Sequence, residues 1–168
     1  MLNYKKIIVV LQVIFSFGLA QSCKSQQIDD IIIKYNDADF SSLKNVSIYP
    51  RSIDKFKGTT IYLIDSYLLK CSPYVVEVEN SYDSILSIDN GLVIKSCGKD
   101  YFSKSKIEEV LKQYKKLNLC LIQVDNEGNV YINPNRSELP IILKKSKNST
   151  PSNINLFKQY EGDWYVRK

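Results

Sequence analysis

The stretch LCLIQVDNEGNVYI, residues 119–132, decides the fold class. Two apolar runs, Leu119 to Val124 and Val130 to Ile132, enclose the polar segment 125–129 with its glycine. Apolar runs separated by three to five residues that include a glycine are typical of a β-hairpin. Because a hairpin joins strands that run in opposite directions, this stretch predicts an antiparallel sheet.

A second hairpin is predicted upstream of it. Ser84 to Ile88 and Leu92 to Ser96 flank the tripeptide Asp89-Asn90-Gly91. The Asn-Gly pair supplies the positive φ angles that a tight hairpin turn needs. This tripeptide is therefore the strongest local turn signal in the chain, and it predicts that residues 92–96 form a strand.

The rest of the chain adds a third hairpin and further strands. Gly162 lies between two runs of strand character, residues 154–160 and 164–167, and would form the turn between them. Pro140 favours an edge position for the strand that contains it, because proline has no N–H to donate to a neighbour. The other predicted strands cover residues 45–49, 59–69, 74–79 and 139–143.

Two segments have the spacing of an amphipathic helix. Apolar residues three and four positions apart predict a helix over residues 25–37. The same spacing predicts a second helix that ends at Leu117, and Ser105 and Glu108 fit a capping box at its start. The chain is thus predicted to fold as one α+β domain over residues 28–168, an antiparallel sheet of hairpins with two helices packed on one face.

The first 22 residues, MLNYKKIIVVLQVIFSFGLAQS, have the organisation of a secretory signal peptide. Lys5 and Lys6 precede an apolar run over residues 7–20, which is shorter than the roughly 20 apolar residues of a transmembrane helix. Ala20 and Ser22 are small residues, as at an A-x-A-like cleavage site. The sequence therefore predicts an exported protein.

The end of this leader carries a more specific pattern. Ala20-Gln21-Ser22-Cys23 resembles the lipobox of bacterial lipoproteins. The resemblance implies cleavage between Ser22 and Cys23, lipidation of Cys23, and a short polar tether over residues 23–27. It also implies anchoring by that lipid to a membrane of the cell envelope, facing the periplasm or the cell surface. Cleavage at the same bond without lipidation would give a secreted protein instead.

Composition excludes several classes of function. The chain has 168 residues, of which 44% are hydrophobic and 24% charged, as is usual for one globular domain. Its net charge of +5 falls to +3 when Lys5 and Lys6 leave with the leader, which is too mild to predict nucleic-acid binding. The sequence has no histidine, which excludes Ser-His-Asp and Cys-His catalysis and histidine-ligated metals. We therefore predict neither a cofactor nor a metal site.

Four cysteines leave the disulfide pattern open. If Cys23 carries a lipid, then Cys71, Cys97 and Cys120 remain, and an exported protein would favour one disulfide among them and one buried thiol. If Cys23 is not lipidated, the even number allows two disulfides. The alternative is that all three are small core residues, because each borders an apolar run and free cysteine is often buried.

No residue pattern in the sequence predicts catalysis outright. Twelve tyrosines, several in predicted strands, suit either a sheet surface or a binding surface. We therefore predict a small envelope protein that binds another protein without catalysis, as an inhibitor, an immunity-type protein or an accessory subunit. A hydrolase is one alternative, since Glu77 and Glu79 share one face of a predicted strand and could act as paired carboxylates. A structural lipoprotein without a specific ligand is the other.

Overall fold

The computed structural model describes residues 28–168, in which nine strands form one sheet. The strands are β1 (Val46–Asp54), β2 (Thr59–Ser66), β3 (Tyr74–Glu79), β4 (Ile85–Asp89), β5 (Leu121–Val124), β6 (Val130–Asn133), β7 (Ile142–Lys144), β8 (Phe157–Glu161) and β9 (Trp164–Arg167). Their order in the sheet is β4-β3-β2-β1-β5-β6-β7-β9-β8, and neighbouring strands pair antiparallel. The predicted α+β class and antiparallel sheet are confirmed.

The stretch 119–132 forms the hairpin that its sequence predicts. Leu121 of β5 lies opposite Asn133 of β6, and the turn between the strands contains Gly128 at a φ of 86°. Asp125 Oδ1 accepts a hydrogen bond from the Asn129 N–H across this turn (2.8 Å). The carboxylate therefore stabilises the turn through the backbone, as short polar side chains commonly do.

Three α-helices accompany the sheet within the described residues, one more than predicted. They are α1 (Ile28–Tyr35), α2 (Gly91–Cys97) and α3 (Lys104–Leu117). Residues 25–27 of the first predicted helix lie outside the described part of the chain. The predicted cap of α3 is wrong, because the N-cap is Ser103, whose Oγ accepts a hydrogen bond from the Lys106 N–H (3.2 Å), and not Ser105.

Residues 92–96, which the sequence predicts to be the second strand of a hairpin, belong to helix α2 instead. Asp89 ends β4, and its Oδ1 accepts a hydrogen bond from the Gly91 N–H (2.8 Å). Asn90 has a φ of −107° and Gly91 also has no positive φ, so the tight hairpin turn is not formed. Val93 is fully buried in the main core and Cys97 is held by a disulfide. These long-range contacts outweigh the local preference of Asn-Gly.

The main hydrophobic core contains residues from the sheet and from all three helices. Ile48 of β1 lies opposite Ile64 of β2 and Ile122 of β5, so the three side chains share one face of the sheet. The helical members are Ile31, Ile32, Tyr35, Val93, Ile107, Val110, Leu111 and Tyr114. A smaller cluster of Tyr131, Leu143 and Phe157 lies apart from this core.

Two strand predictions fail at prolines. β1 continues through Pro50 to Asp54 instead of ending before it, because a register shift between Pro50 and Ser52 accommodates the proline as a bulge against β2. Pro140 predicts an edge strand, but β7 begins after it at Ile142 and lies between β6 and β9. The proline therefore does not take part in the ladder.

A disulfide joins the connection between β2 and β3 to the end of α2. Its cysteines are Cys71 and Cys97, with Cα atoms 5.7 Å apart. Beside it, the Ser72 N–H donates a hydrogen bond to Ser96 Oγ (2.9 Å). No helix within residues 28–168 is long and apolar enough to cross a bilayer.

Candidate binding groove

A groove of about 830 Å³ runs between β4 and α3, along one edge of the sheet. Its apolar surface comes from Ile85, Leu86, Ile88 and Leu111. Ile85 lies opposite Val78 of β3 and Ile88 opposite Val76, so both side chains face the main core and pack against it while half-buried. A groove of this size lies within the range of about 300–1,000 Å³ that is usual for ligand sites.

The outer wall of the groove is a row of charged residues on α3. Lys104, Glu108, Lys112 and Lys116 are spaced by four residues, which aligns them along one side of a helix. The opposite side of α3 carries the core residues, which include Val110 and Tyr114. The amphipathic pattern of this helix therefore fixes both the core and the charged wall.

The groove carries more positive than negative charge. Four lysines and two acids, Asp83 and Glu108, line it. Lys115 Nζ lies 2.7 Å from Asp83 Oδ1, and Lys104 Nζ lies 3.8 Å from Glu108 Oε1. Lys112 and Lys116 form no ion pair with any carboxylate of residues 28–168. The excess of two positive charges therefore resides on these two lysines.

The two edges of the sheet differ in character. β4 has the sequence ILSID. Its Leu86 is 54% exposed and lies where the pairing with β3 shifts register. β8 has the sequence FKQYE, and every residue of it after Phe157 is exposed. Charged and polar side chains on an edge strand discourage further pairing, which describes β8 better than β4. The apolar edge and the groove thus lie together.

A larger groove, of about 1,010 Å³, lies near the end of α1 but has less specific chemistry. Lys144 dominates it, and its Nζ donates hydrogen bonds to the Tyr35 carbonyl (3.2 Å) and to the Asn36 carbonyl at the end of that helix. Burial lowers the pKa of Lys144, and nearby Asp37 and Asp163 oppose that shift. Its ammonium therefore stabilises the helix end, where a positive charge is favoured.

In this larger groove, by contrast, positive and negative charges are equal in number. Four lysines and four acids line it, namely Lys44, Lys144, Lys145, Lys147, Asp37, Asp39, Glu161 and Asp163. No excess of one sign selects a ligand, in contrast to the groove between β4 and α3. We therefore take the smaller groove as the candidate site.

The two predicted carboxylates do not form a cleft together. Glu77 faces a small groove beside the β1–β2 turn that also contains Phe56 and Ile61, and Glu79 does not line that groove. Glu79 Oε2 instead accepts a hydrogen bond from Ser84 Oγ across the β3–β4 turn (3.2 Å). The geometry therefore gives the paired-carboxylate hydrolase little support.

Four of the eleven tyrosines in residues 28–168 are buried, namely Tyr35, Tyr74, Tyr114 and Tyr131. Tyr74 is buried, and its hydroxyl oxygen accepts hydrogen bonds from the backbone N–H groups of Tyr101 and Phe102 (2.9 Å each). Tyr114 donates to the Cys120 carbonyl (3.0 Å), and burial raises its pKa. Tyr82, by contrast, is exposed. The buried tyrosines therefore belong to the core, whereas the exposed ones lie on the surface.

The predictions for the cysteines fall partly on described residues and partly on residues outside the described range. Cys71 and Cys97 are bonded to each other, as stated above. Cys120 is buried and is also disulfide-bonded. The predicted cleavage site at Ser22 and Cys23, the lipidation of Cys23 and the tether 23–27 all lie outside the described residues.

No protein-family model, no curated protein and no solved structure matches this chain. Within the part of the chain that the structure describes, no group of three or more acids and cysteines is placed to hold a metal ion. The function must therefore be argued from the groove itself. Sequence reasoning missed this site, although the four-residue spacing of Glu108, Lys112 and Lys116 on a predicted helix was a readable signal.

Proposed function

We propose that this protein is a small lipoprotein of the bacterial cell envelope that binds another protein through the groove between β4 and α3, without catalysis. In that role it would act as an inhibitor, an immunity-type protein or an accessory subunit. The observation that supports binding is the groove, which combines an apolar surface, an apolar edge strand, and two lysines, Lys112 and Lys116, that form no ion pair with a carboxylate of residues 28–168. Such a combination suits recognition of a polypeptide.

The lipid anchor rests on the leader and on Ala20-Gln21-Ser22-Cys23. A diacylglycerol thioether and an acylated amine on Cys23 would bind a bilayer firmly, since each buried methylene contributes about 0.8 kcal/mol. The five residues of the tether would keep the domain close to that membrane. Any partner would then be another protein of the same envelope compartment.

A secreted, unlipidated form is the second candidate, and Cys120 is the observation that favours it. Cys120 is disulfide-bonded, and Cys71 and Cys97 are bonded to each other. Cys23 is the fourth cysteine of the sequence. A sulfur that carries a thioether lipid cannot also form a disulfide, so the two candidates exclude each other.

Mass spectrometry of the N-terminal peptide separates these candidates. We expect protein expressed from the full gene in a bacterial host to partition with membranes and to begin at an acylated Cys23. A Cys23→Ser variant should move to the soluble fraction. A soluble species whose Cys23 is disulfide-bonded to Cys120 would refute the anchor and establish the secreted form. A species that still begins at Met1 would refute export altogether.

Site-specific photocrosslinking tests the binding role. We expect a photoreactive residue in place of Leu86, on β4, to give a discrete covalent adduct with a second envelope protein in intact cells. The matched control is the same residue in place of Gln159, on the opposite edge strand β8. Equal adducts at both positions, or none at Leu86, would refute a binding role for the groove.

A further inference from the structure

We infer that the groove receives an extended, acidic segment of the partner protein, which adds to the sheet as a strand beside β4. The inference rests on the proposed binding role of the groove and specifies what the groove recognises. Three independent features support it, namely the free backbone edge, the geometry of the side chains that face the groove, and the sign of the charge.

The first feature is the backbone of β4. This strand pairs only with β3 among the described residues, so its outer N–H and C=O groups are free of ladder partners there. An extended peptide satisfies such groups by pairing with them, and this main-chain pairing supplies affinity that is independent of sequence. β4 spans five residues, Ile85–Asp89, which sets the length of the added strand at about five residues.

The second feature is the placement of side chains. Alternate side chains of a strand beside β4 would point to the same face as Ile85 and Ile88, towards α3. A glutamate at such a position can lay its methylene groups against the apolar surface and reach the row of lysines with its carboxylate. The remaining side chains would point to the other face of the sheet, where β-branched residues suit an extended backbone.

The third feature is charge, and it selects an acidic segment over a second copy of this chain. Lys112 and Lys116 are exposed and form no ion pair with a carboxylate in residues 28–168, so both ammonium groups are accessible to a carboxylate of a partner. A second copy would bring the β4 sequence ILSID, whose one acid is Asp89. That strand would leave the excess positive charge of the groove unmatched.

A synthetic peptide tests this inference directly. The probe is fluorescein-labelled Thr-Glu-Val-Glu-Val-Glu-Thr, and the readout is fluorescence anisotropy on titration with the purified protein. We expect saturable binding that weakens as salt rises, because the ion pairs are exposed to solvent. The charge-reversed peptide, with Lys in place of each Glu, should bind at least about tenfold more weakly. A probe N-methylated on alternate backbone nitrogens should lose binding if the main chain pairs with β4.

Variants of the protein locate the site. We expect Lys112→Ala combined with Lys116→Ala to weaken binding of the acidic peptide about tenfold, as the loss of two exposed ion pairs allows. The matched control is Lys147→Ala combined with Lys158→Ala, which changes the net charge equally but outside the groove and should leave affinity within about twofold. All four lysines are solvent-accessible, so folding should persist, and circular dichroism would verify it.

The outcomes separate the inference from the function on which it rests. An adduct at Leu86 in cells without binding of the acidic peptide would retain the binding role and overturn strand addition. Equal binding of the N-methylated probe, equal binding of the Lys peptide, or an equal loss in both double variants would also overturn the inference. A concentration-dependent dimer abolished by Leu86→Lys would show that a second copy occupies the edge, and would overturn it as well.

Discussion

Replacing Cys71 and Cys97 together with serine will lower the free energy of unfolding by about 3.5 kcal/mol. The disulfide closes a loop between residues 26 apart in sequence, and a cross-link of that length reduces the entropy of the unfolded chain by a corresponding amount. Urea unfolding measures the change. Fluorescence of Trp164 can follow it, because this is the single tryptophan of the sequence and it is buried.

Ser96→Ala provides the control for this variant. It removes the hydrogen bond that the Ser72 N–H donates beside the disulfide, and we expect a loss of about 1 kcal/mol. Variants are better suited than a reductant, because a reductant is not selective for the bridge between Cys71 and Cys97. A double serine variant no less stable than Ser96→Ala would show that the bridge contributes little to folding.

Two turns of similar sequence show what local patterns can and cannot predict. The segment 125–129 forms the predicted hairpin, because β6 is buried throughout, β5 is buried except at Gln123, and the two strands pair along their length. Asn90-Gly91 carries the stronger turn signal and yet begins a helix. Only Val93 of the following apolar run is buried. The end of that helix is held by a disulfide between Cys97 and Cys71, which lies 26 residues earlier in the sequence. A sequence pattern read over a few neighbouring residues gives no information about such a long-range disulfide.

Only part of the candidate groove could be predicted from the sequence. The four-residue spacing of lysines on α3 can be read from the sequence, since it follows from helical geometry. The packing of that helix beside β4 cannot be read, because the order of nine strands is set by pairings between distant residues. The same reasoning applies to Glu77 and Glu79, which share a strand face as predicted but do not line a common groove.

Asn129→Ala will lower the free energy of unfolding by about 3 kcal/mol. Asn129 is 0% exposed and connects two segments. Its Nδ2 donates to Asp125 Oδ2 (2.7 Å), and its Oδ1 accepts hydrogen bonds from the Ser146 N–H (2.8 Å) and from the Ser149 hydroxyl. Alanine would leave the buried Asp125 Oδ2 and the Ser146 N–H without these partners, and an unsatisfied buried polar group costs about 1–3 kcal/mol.

Asn126→Ala is the matched control in the same turn. Asn126 is exposed, and a surface substitution of this kind usually changes stability by less than about 0.5 kcal/mol. Urea unfolding of both variants measures the difference between the two asparagines. If the loss comes from the buried network, Asn129→Asp should also be destabilising, because a second carboxylate beside Asp125 cannot donate a hydrogen bond to it when ionised. Equal stability of the Asn126 and Asn129 variants would mean that the loop 145–150 does not depend on this network for its position.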